Sequence, residues 1–70
     1  MVDVQLLRDK IKESGMTTLA VCDKSGISKQ VLYKRFKRPN FTCEEALGLK
    51  LALRLSTPDF NMIFFGLDVE

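Results

Sequence analysis

The segment 17–38, TTLAVCDKSGISKQVLYKRFKR, constrains the fold of this chain more than any other. A glycine at position 26 separates two stretches with apolar residues at helical spacing, and a hydroxyl side chain that can cap a helix precedes each stretch. Glycine readily adopts the left-handed conformation that ends one helix and turns the chain. Ile27 can then fill the angle between the helices. The segment predicts two short helices, at about 18–25 and 28–37, joined by a tight turn.

Similar signals divide the rest of the chain into three further helices. A first helix is expected at about 4–14, and a Thr-x-x-Glu capping box opens the fourth, at about 43–55. Thr57 begins a last short helix, which Gly66 ends. No segment alternates convincingly between apolar and polar residues, so no strand is expected. The sequence predicts an all-α fold of five helices in a single domain over 1–70.

The third helix has two clearly different faces. With Leu32 as the inward direction and 100° per residue, Phe36 falls beside it on the core side. The opposite side then carries Gln30, Tyr33, Lys34 and Lys37. Arg35 projects to the flank, where it could pair with an acid of the second helix such as Asp23. The predicted core comprises Leu7, Ile11, Leu19, Cys22, Ile27, Leu32, Phe36, Phe41, Leu49, Leu53 and Phe60.

The charge of the chain is strongly polarised. Between Lys24 and Cys43 there are six Lys or Arg and no Asp or Glu, whereas the remaining residues hold five cations against nine acids. A concentrated basic face attracts a polyanion even when the total charge is only +2. Simple solvation is the usual explanation of a charged helix face, but the lack of any acid at i,i+4 spacing favours nucleic-acid binding here.

Composition speaks against several other functions. The chain has no His, its two cysteines lack metal-ligand spacing, and it has no glycine-rich phosphate loop or nucleophile elbow. Glu44 and Glu45 are adjacent at an expected helix start, where they suit the helix dipole. We therefore expect no enzyme activity, cofactor, metal or small-molecule ligand. No apolar run approaches the roughly 18 residues that span a bilayer, and we expect a cytoplasmic protein with reduced cysteines.

The residues around the turn carry a family resemblance. Cys22 lies four residues before the turn glycine, Ile27 directly follows it, and Leu32 comes six residues after it. In this order, the chain from about 6 to 65 resembles the lambda-repressor-like helix-turn-helix family. The segments GISKQVLYKRFKR and FTCEEALGLKLALRLSTPDFNMIFFG are similar to small repressor proteins of Gram-positive phages and prophages.

The resemblance implies a transcriptional regulator of the Cro or repressor type that binds double-stranded DNA as a homodimer. Its third helix would enter the major groove while the second crosses the backbone. The positions that match base-reading side chains are Lys29, Gln30, Tyr33 and Lys34, and their chemistry suits guanine, adenine and thymine edges. Candidate phosphate contacts, from hydroxyls, cations and an amide near helix ends, are Thr17, Thr18, Ser28, Lys37, Arg38 and Asn40.

The apolar C-terminal end suggests a second surface. Ile63, Phe64 and Phe65 are consecutive and cannot all face one small core, because neighbours on a helix point about 100° apart. We therefore expect a dimer interface formed by Leu51, Met62, Phe64 and Phe65. An alternative is a helix-turn-helix module for protein interaction, or a phage packaging or assembly adaptor, that does not read DNA. In that case the apolar end would be the active surface.

Overall fold

The structure, a computed structural model, describes residues 2–66. Within them the chain forms five α-helices and no strand, as the sequence predicts. The helices are α1 (Val4–Glu13), α2 (Thr18–Ser25), α3 (Lys29–Lys37), α4 (Cys43–Leu53) and α5 (Thr57–Phe65). In this part of the chain, no helix has the length and apolar character needed to cross a membrane.

Local hydrogen bonds set the helix starts. The hydroxyls of Thr17 and Ser28 accept the backbone N–H of the residue three positions on, at 3.1 and 3.2 Å. The capping box predicted at α4 is confirmed: the Thr42 hydroxyl accepts from the Glu45 N–H, and the Glu45 carboxylate accepts from the Thr42 N–H. At α5 the cap is Ser56, one residue before the expected Thr57.

The helix ends agree less closely with the sequence. Gly26 has φ 76° and ends α2, as expected. However, α4 ends at Leu53, two residues earlier than predicted, because Arg54 adopts a left-handed conformation with φ 52°. A non-glycine residue in this conformation gives no sequence signal for a helix end. Leu55 is nevertheless buried, in the connection to α5.

The core receives one fully buried side chain from each helix. These are Leu7, Val21, Leu32, Leu49 and Ile63. The backbone N–H of Asp3 donates to the carbonyl oxygen of Ile63 at 2.7 Å and so joins the beginning of α1 to α5.

Gly48 allows α2 and α4 to pack closely. A Cβ atom at this position would overlap the backbone carbonyl oxygen of Ser25, the last residue of α2. Backbone cannot move away as a flexible side chain can. Any side chain at position 48 would therefore push the two helices apart.

Two predictions about the placement of apolar side chains are wrong. Leu19, expected in the core, is 61% exposed. The inward face of α2 lies at Val21 and Cys22 instead, and Leu19 points about 160° away from Val21 around the helix. Phe64, expected at a dimer interface, is 6% exposed and belongs to the core of its own chain.

The burial of Phe64 follows from aromatic packing around α5. Its ring packs edge-on against Phe41, with centroids 5.5 Å apart, and lies 5.1 Å from the ring of Phe60. The core direction of α5 falls between Ile63 and Phe64, so both adjacent side chains are covered. Phe65 is the member of the apolar run that remains 56% exposed.

Candidate nucleic-acid interface

The outer face of α3 carries the four side chains predicted to read bases. Lys29, Gln30, Tyr33 and Lys34 are all exposed, whereas Leu32 on the opposite side is fully buried. The Ser28 cap and the core contacts of Leu32 together fix the rotation of α3, since a helix with one buried anchor must turn its other faces outward. This face presents two ammonium groups, an amide and a phenol to solvent.

Aromatic contacts support the side chains of this face. The ammonium of Lys29 lies 6.0 Å from the centre of the Tyr33 ring, and that ring packs edge-on against Phe36 at 5.9 Å. The guanidinium of Arg8 also lies over the Phe36 ring, 5.1 Å from its centre. A continuous series of contacts thus joins the outer face of α3 to α1.

The predicted phosphate contacts fall into three separate places. Lys37, Arg38 and Asn40 meet Lys34 and Arg35 around a depression of ≈ 400 Å³, here called the basic pocket. Thr17 and Thr18 lie on another depression, beside α1. Ser28 lines neither of these two depressions, and its hydroxyl oxygen caps α3. The capping oxygens of Thr17 and Ser28 accept hydrogen bonds, which leaves each hydroxyl hydrogen able to donate.

The second depression is formed by α1, the start of α2 and α3. It measures ≈ 480 Å³ and is called the α1 groove below. Its polar lining includes Arg8 and Lys12, two cations that the sequence predictions did not place among the DNA contacts. The available signal was their i,i+4 spacing, which places them on one face of α1. Its complete lining is Gln5, Arg8, Asp9, Ile11, Lys12, Met16, Thr17, Thr18, Tyr33 and Phe36.

Arg35 joins α3 to the beginning of α4. Its Nε and Nη2 atoms donate to the two carboxylate oxygens of Glu45, at 2.9 and 3.3 Å. The suggested partner Asp23 is therefore wrong, because Arg35 points toward α4 rather than α2. The hydrogen bond from Arg35 lowers the pKa of Glu45, against the opposing effect of burial, and the Thr42 N–H lowers it further.

The same pair affects the charge available to a ligand. The hydrogen bond with Glu45 raises the pKa of Arg35, so its guanidinium stays charged while its donors are directed at the carboxylate. Lys34, Lys37 and Arg38 are the exposed cations of the basic pocket. Arg35 thus links α3 to α4 through its ion pair with Glu45, and its donors are less available to an external anion than those of the exposed cations.

A surface formed by α4 and α5 is apolar. Leu47 and Leu51 lie one turn apart on α4 and are 52% and 77% exposed, and Phe65 shares with Leu47 the lining of a groove of ≈ 250 Å³. Met62, one turn before Phe65 on α5, is also exposed. We call these four exposed residues, of which Leu47 and Phe65 line one groove, the α4–α5 apolar surface. Its groove has no lining residue in common with the basic pocket or the α1 groove.

The remaining reactive side chains do not form a cluster. Cys22 and Cys43 are both free thiols, and burial raises the pKa of Cys22. Among residues 2–66, no three His, Cys, Asp or Glu side chains come close enough together to hold a metal ion. Comparison of the chain with protein-family models, curated proteins and solved structures gives no match.

Proposed function

We propose that this protein is a sequence-specific regulator of transcription that binds double-stranded DNA through α3. The observation that carries the proposal is the outer face of α3, where four exposed polar side chains lie next to a pocket of lysine and arginine and α3 itself contains no acid. Such a regulator, of the Cro or repressor type, would act in the cytoplasm.

The chemistry of this face suits the major groove. Lys29 and Lys34 can donate to guanine O6 or N7, and Gln30 can pair with the edge of adenine. The Tyr33 ring can contact a thymine methyl group. The major groove is about 12 Å wide and admits one α-helix, and α3 projects these side chains from a rigid, capped element.

The basic pocket suits the sugar-phosphate backbone. Phosphate contacts fix the position and register of a protein on the duplex, while base contacts give specificity. Lys37, Arg38 and Asn40 follow the base-reading face along the chain, so they can bind the backbone when α3 lies in the groove.

Two copies would bind together through the α4–α5 apolar surface. A twofold dimer on DNA places its recognition helices about 34 Å apart, one turn of the duplex. The protein measures 33 × 24 × 19 Å, so two copies side by side can match that spacing. The groove of the apolar surface shares no lining residue with the depressions beside α3, so the dimer and the DNA would use different residues.

A titration of labelled duplex DNA at several salt concentrations tests the proposal. The logarithm of the binding constant should fall linearly with the logarithm of salt, with a slope of about −0.9 per neutralised phosphate. Selection from a random duplex pool should then return one preferred sequence. A binding constant that does not change with salt concentration would contradict the proposal, and so would a selection that returns no preferred sequence. Either result would favour a protein-interaction module that acts through the α4–α5 apolar surface.

A further inference from the structure

The α1 groove and the basic pocket lie on opposite sides of the outer face of α3. Tyr33 lines the α1 groove, and Lys34, the next residue, lines the basic pocket. Gln30 falls between these two directions, about 60° from one and 40° from the other around the helix. The proposed reading face therefore forms a ridge with a depression on each flank.

The α1 groove carries cations and hydroxyls as the basic pocket does. Arg8 and Lys12 lie one turn apart on α1, and both are exposed. Thr17 and Thr18 add two hydroxyls from the start of α2. Asp9 also lines the groove and accepts a hydrogen bond from the Gln5 amide at 2.9 Å. The groove is thus more weakly cationic than the pocket on the other flank.

Arg8 is held beside α3 by an aromatic contact. Its guanidinium lies 5.1 Å from the centre of the Phe36 ring, within the usual range of a cation–π interaction. Phe36 is half-buried and packs against the core, so it is a fixed platform. A guanidinium stacked in this way keeps its N–H groups, which lie at the edge of its plane, free for an anion.

We infer that α1 is a second contact element for DNA, with Arg8 and Lys12 binding phosphates of the backbone on the side of α3 opposite the basic pocket. The major groove is bounded by one phosphate backbone on each side. A helix lying in it with a cationic depression on each flank can contact both. This inference rests on the proposed DNA binding and adds a role for α1, to which the sequence predictions assigned no DNA contact.

Charge variants of the α1 groove test the inference, because some should weaken DNA binding and one should strengthen it. In titrations of duplex DNA at several salt concentrations, Arg8→Ala and Lys12→Ala should weaken binding to all sequences alike and reduce the salt slope by about one unit each. Arg8→Lys should keep the slope. Asp9→Asn should strengthen binding to every sequence, because it removes the one acid that lines the groove.

Lys10→Ala is the matched control. It removes a cation from the same helix, but Lys10 is directed toward Asp59 and Glu13, at 3.3 and 3.7 Å, away from the α1 groove. Its salt slope should equal that of the wild type, with circular dichroism showing that every variant is folded. The wild type could bind with the expected salt dependence while the Arg8, Lys12 and Asp9 variants show the same affinity and the same salt slope. In that case the inference fails and the proposed function stands. If the wild type does not bind duplex DNA, both fail.

Discussion

At the scale of single residues, Gln30 has the position on α3 where a substitution should be most informative about base reading. It lies at the centre of the exposed face of α3, between the directions of Tyr33 and Lys34. An amide carries a donor and an acceptor and can make a paired hydrogen bond with the edge of adenine. In the proposed complex, Lys37 and Arg38 would contact the sugar-phosphate backbone, so any choice among bases would depend on the outer face of α3.

Substitutions on the ridge and on the flank should therefore have different effects. Gln30→Ala and Lys34→Ala should cost roughly 1–3 kcal/mol on the preferred sequence and relax base preference, because each removes a contact with a base edge. Lys37→Ala and Arg38→Ala should weaken all sequences alike. Binding to the selected sequence and to single-base variants of it measures the difference. Equal losses on all sequences for all four variants would show that α3 does not read bases.

At the scale of elements, the Arg35–Glu45 pair joins α3 to the beginning of α4. Glu45 completes the capping box of α4 and at the same time accepts both hydrogen bonds from Arg35 of α3. The Glu45 carboxylate thus stabilises both the beginning of α4 and the position of α3 beside it. Loss of its charge should loosen both.

The pair predicts a dependence of stability on pH. The folded-state pKa of Glu45 lies below its ordinary value of 4.5, so its contribution is fully present above that pH and is lost as the pH falls through the lower value. Glu45→Gln should be less stable than the wild type at neutral pH, and this difference should shrink as the solution is acidified below the ordinary pKa of the carboxyl group. Urea unfolding across this range measures it, with Glu44→Gln as a control for the neighbouring exposed acid. A difference that stays constant with pH would contradict the assignment.

The elements also show what a sequence can and cannot predict. The caps at Thr17, Ser28 and Thr42 were predictable, because each hydrogen bond joins residues three positions apart. Leu32 was predictable as an inward residue because apolar and polar residues separate clearly on α3. Local patterns of this kind predicted all five helices.

Longer-range features could not be predicted in the same way. On α5 the sequence pattern gives Ile63, Phe64 and Phe65 as equal candidates for burial. Phe64 is buried because the rings of Phe41 and Phe60 pack against it, and this contact cannot be seen in the pattern. The partner of Arg35 is ten residues away, in another helix. The α1 groove needs three helices to be in place before Arg8 and Lys12 meet Tyr33 on one surface.

At the scale of the whole molecule, the α4–α5 apolar surface is the feature that a monomer does not explain. Leu51 is 77% exposed and Phe65 56%. Burial of one such side chain contributes roughly 1.5–3 kcal/mol, and a twofold interface gains it in both subunits. The proposed dimer would cover these residues.

The dimer can be tested with variants that leave the core intact. A Leu51→Ser, Phe65→Ser double variant should sediment as a monomer at concentrations where the wild type is a dimer, with unchanged circular dichroism. Leu19→Ser, which replaces a 61% exposed leucine on α2, is the control and should behave as the wild type. A wild type that remains monomeric at high concentration and on DNA would rule out the dimer, and the apolar surface would then need a different partner.

The close approach at Gly48 also bears on how relatives of this protein could be found. Since a Cβ there meets backbone and not a movable side chain, every chain that keeps this α2–α4 packing must keep the glycine. The turn glycine, Gly26, directly follows Ser25 on the other helix of this contact and is required by its positive φ. The pair of glycines, one on each side of the α2–α4 contact, is thus a signature set by backbone geometry. Both glycines should be retained in related sequences even where the surface residues are no longer similar.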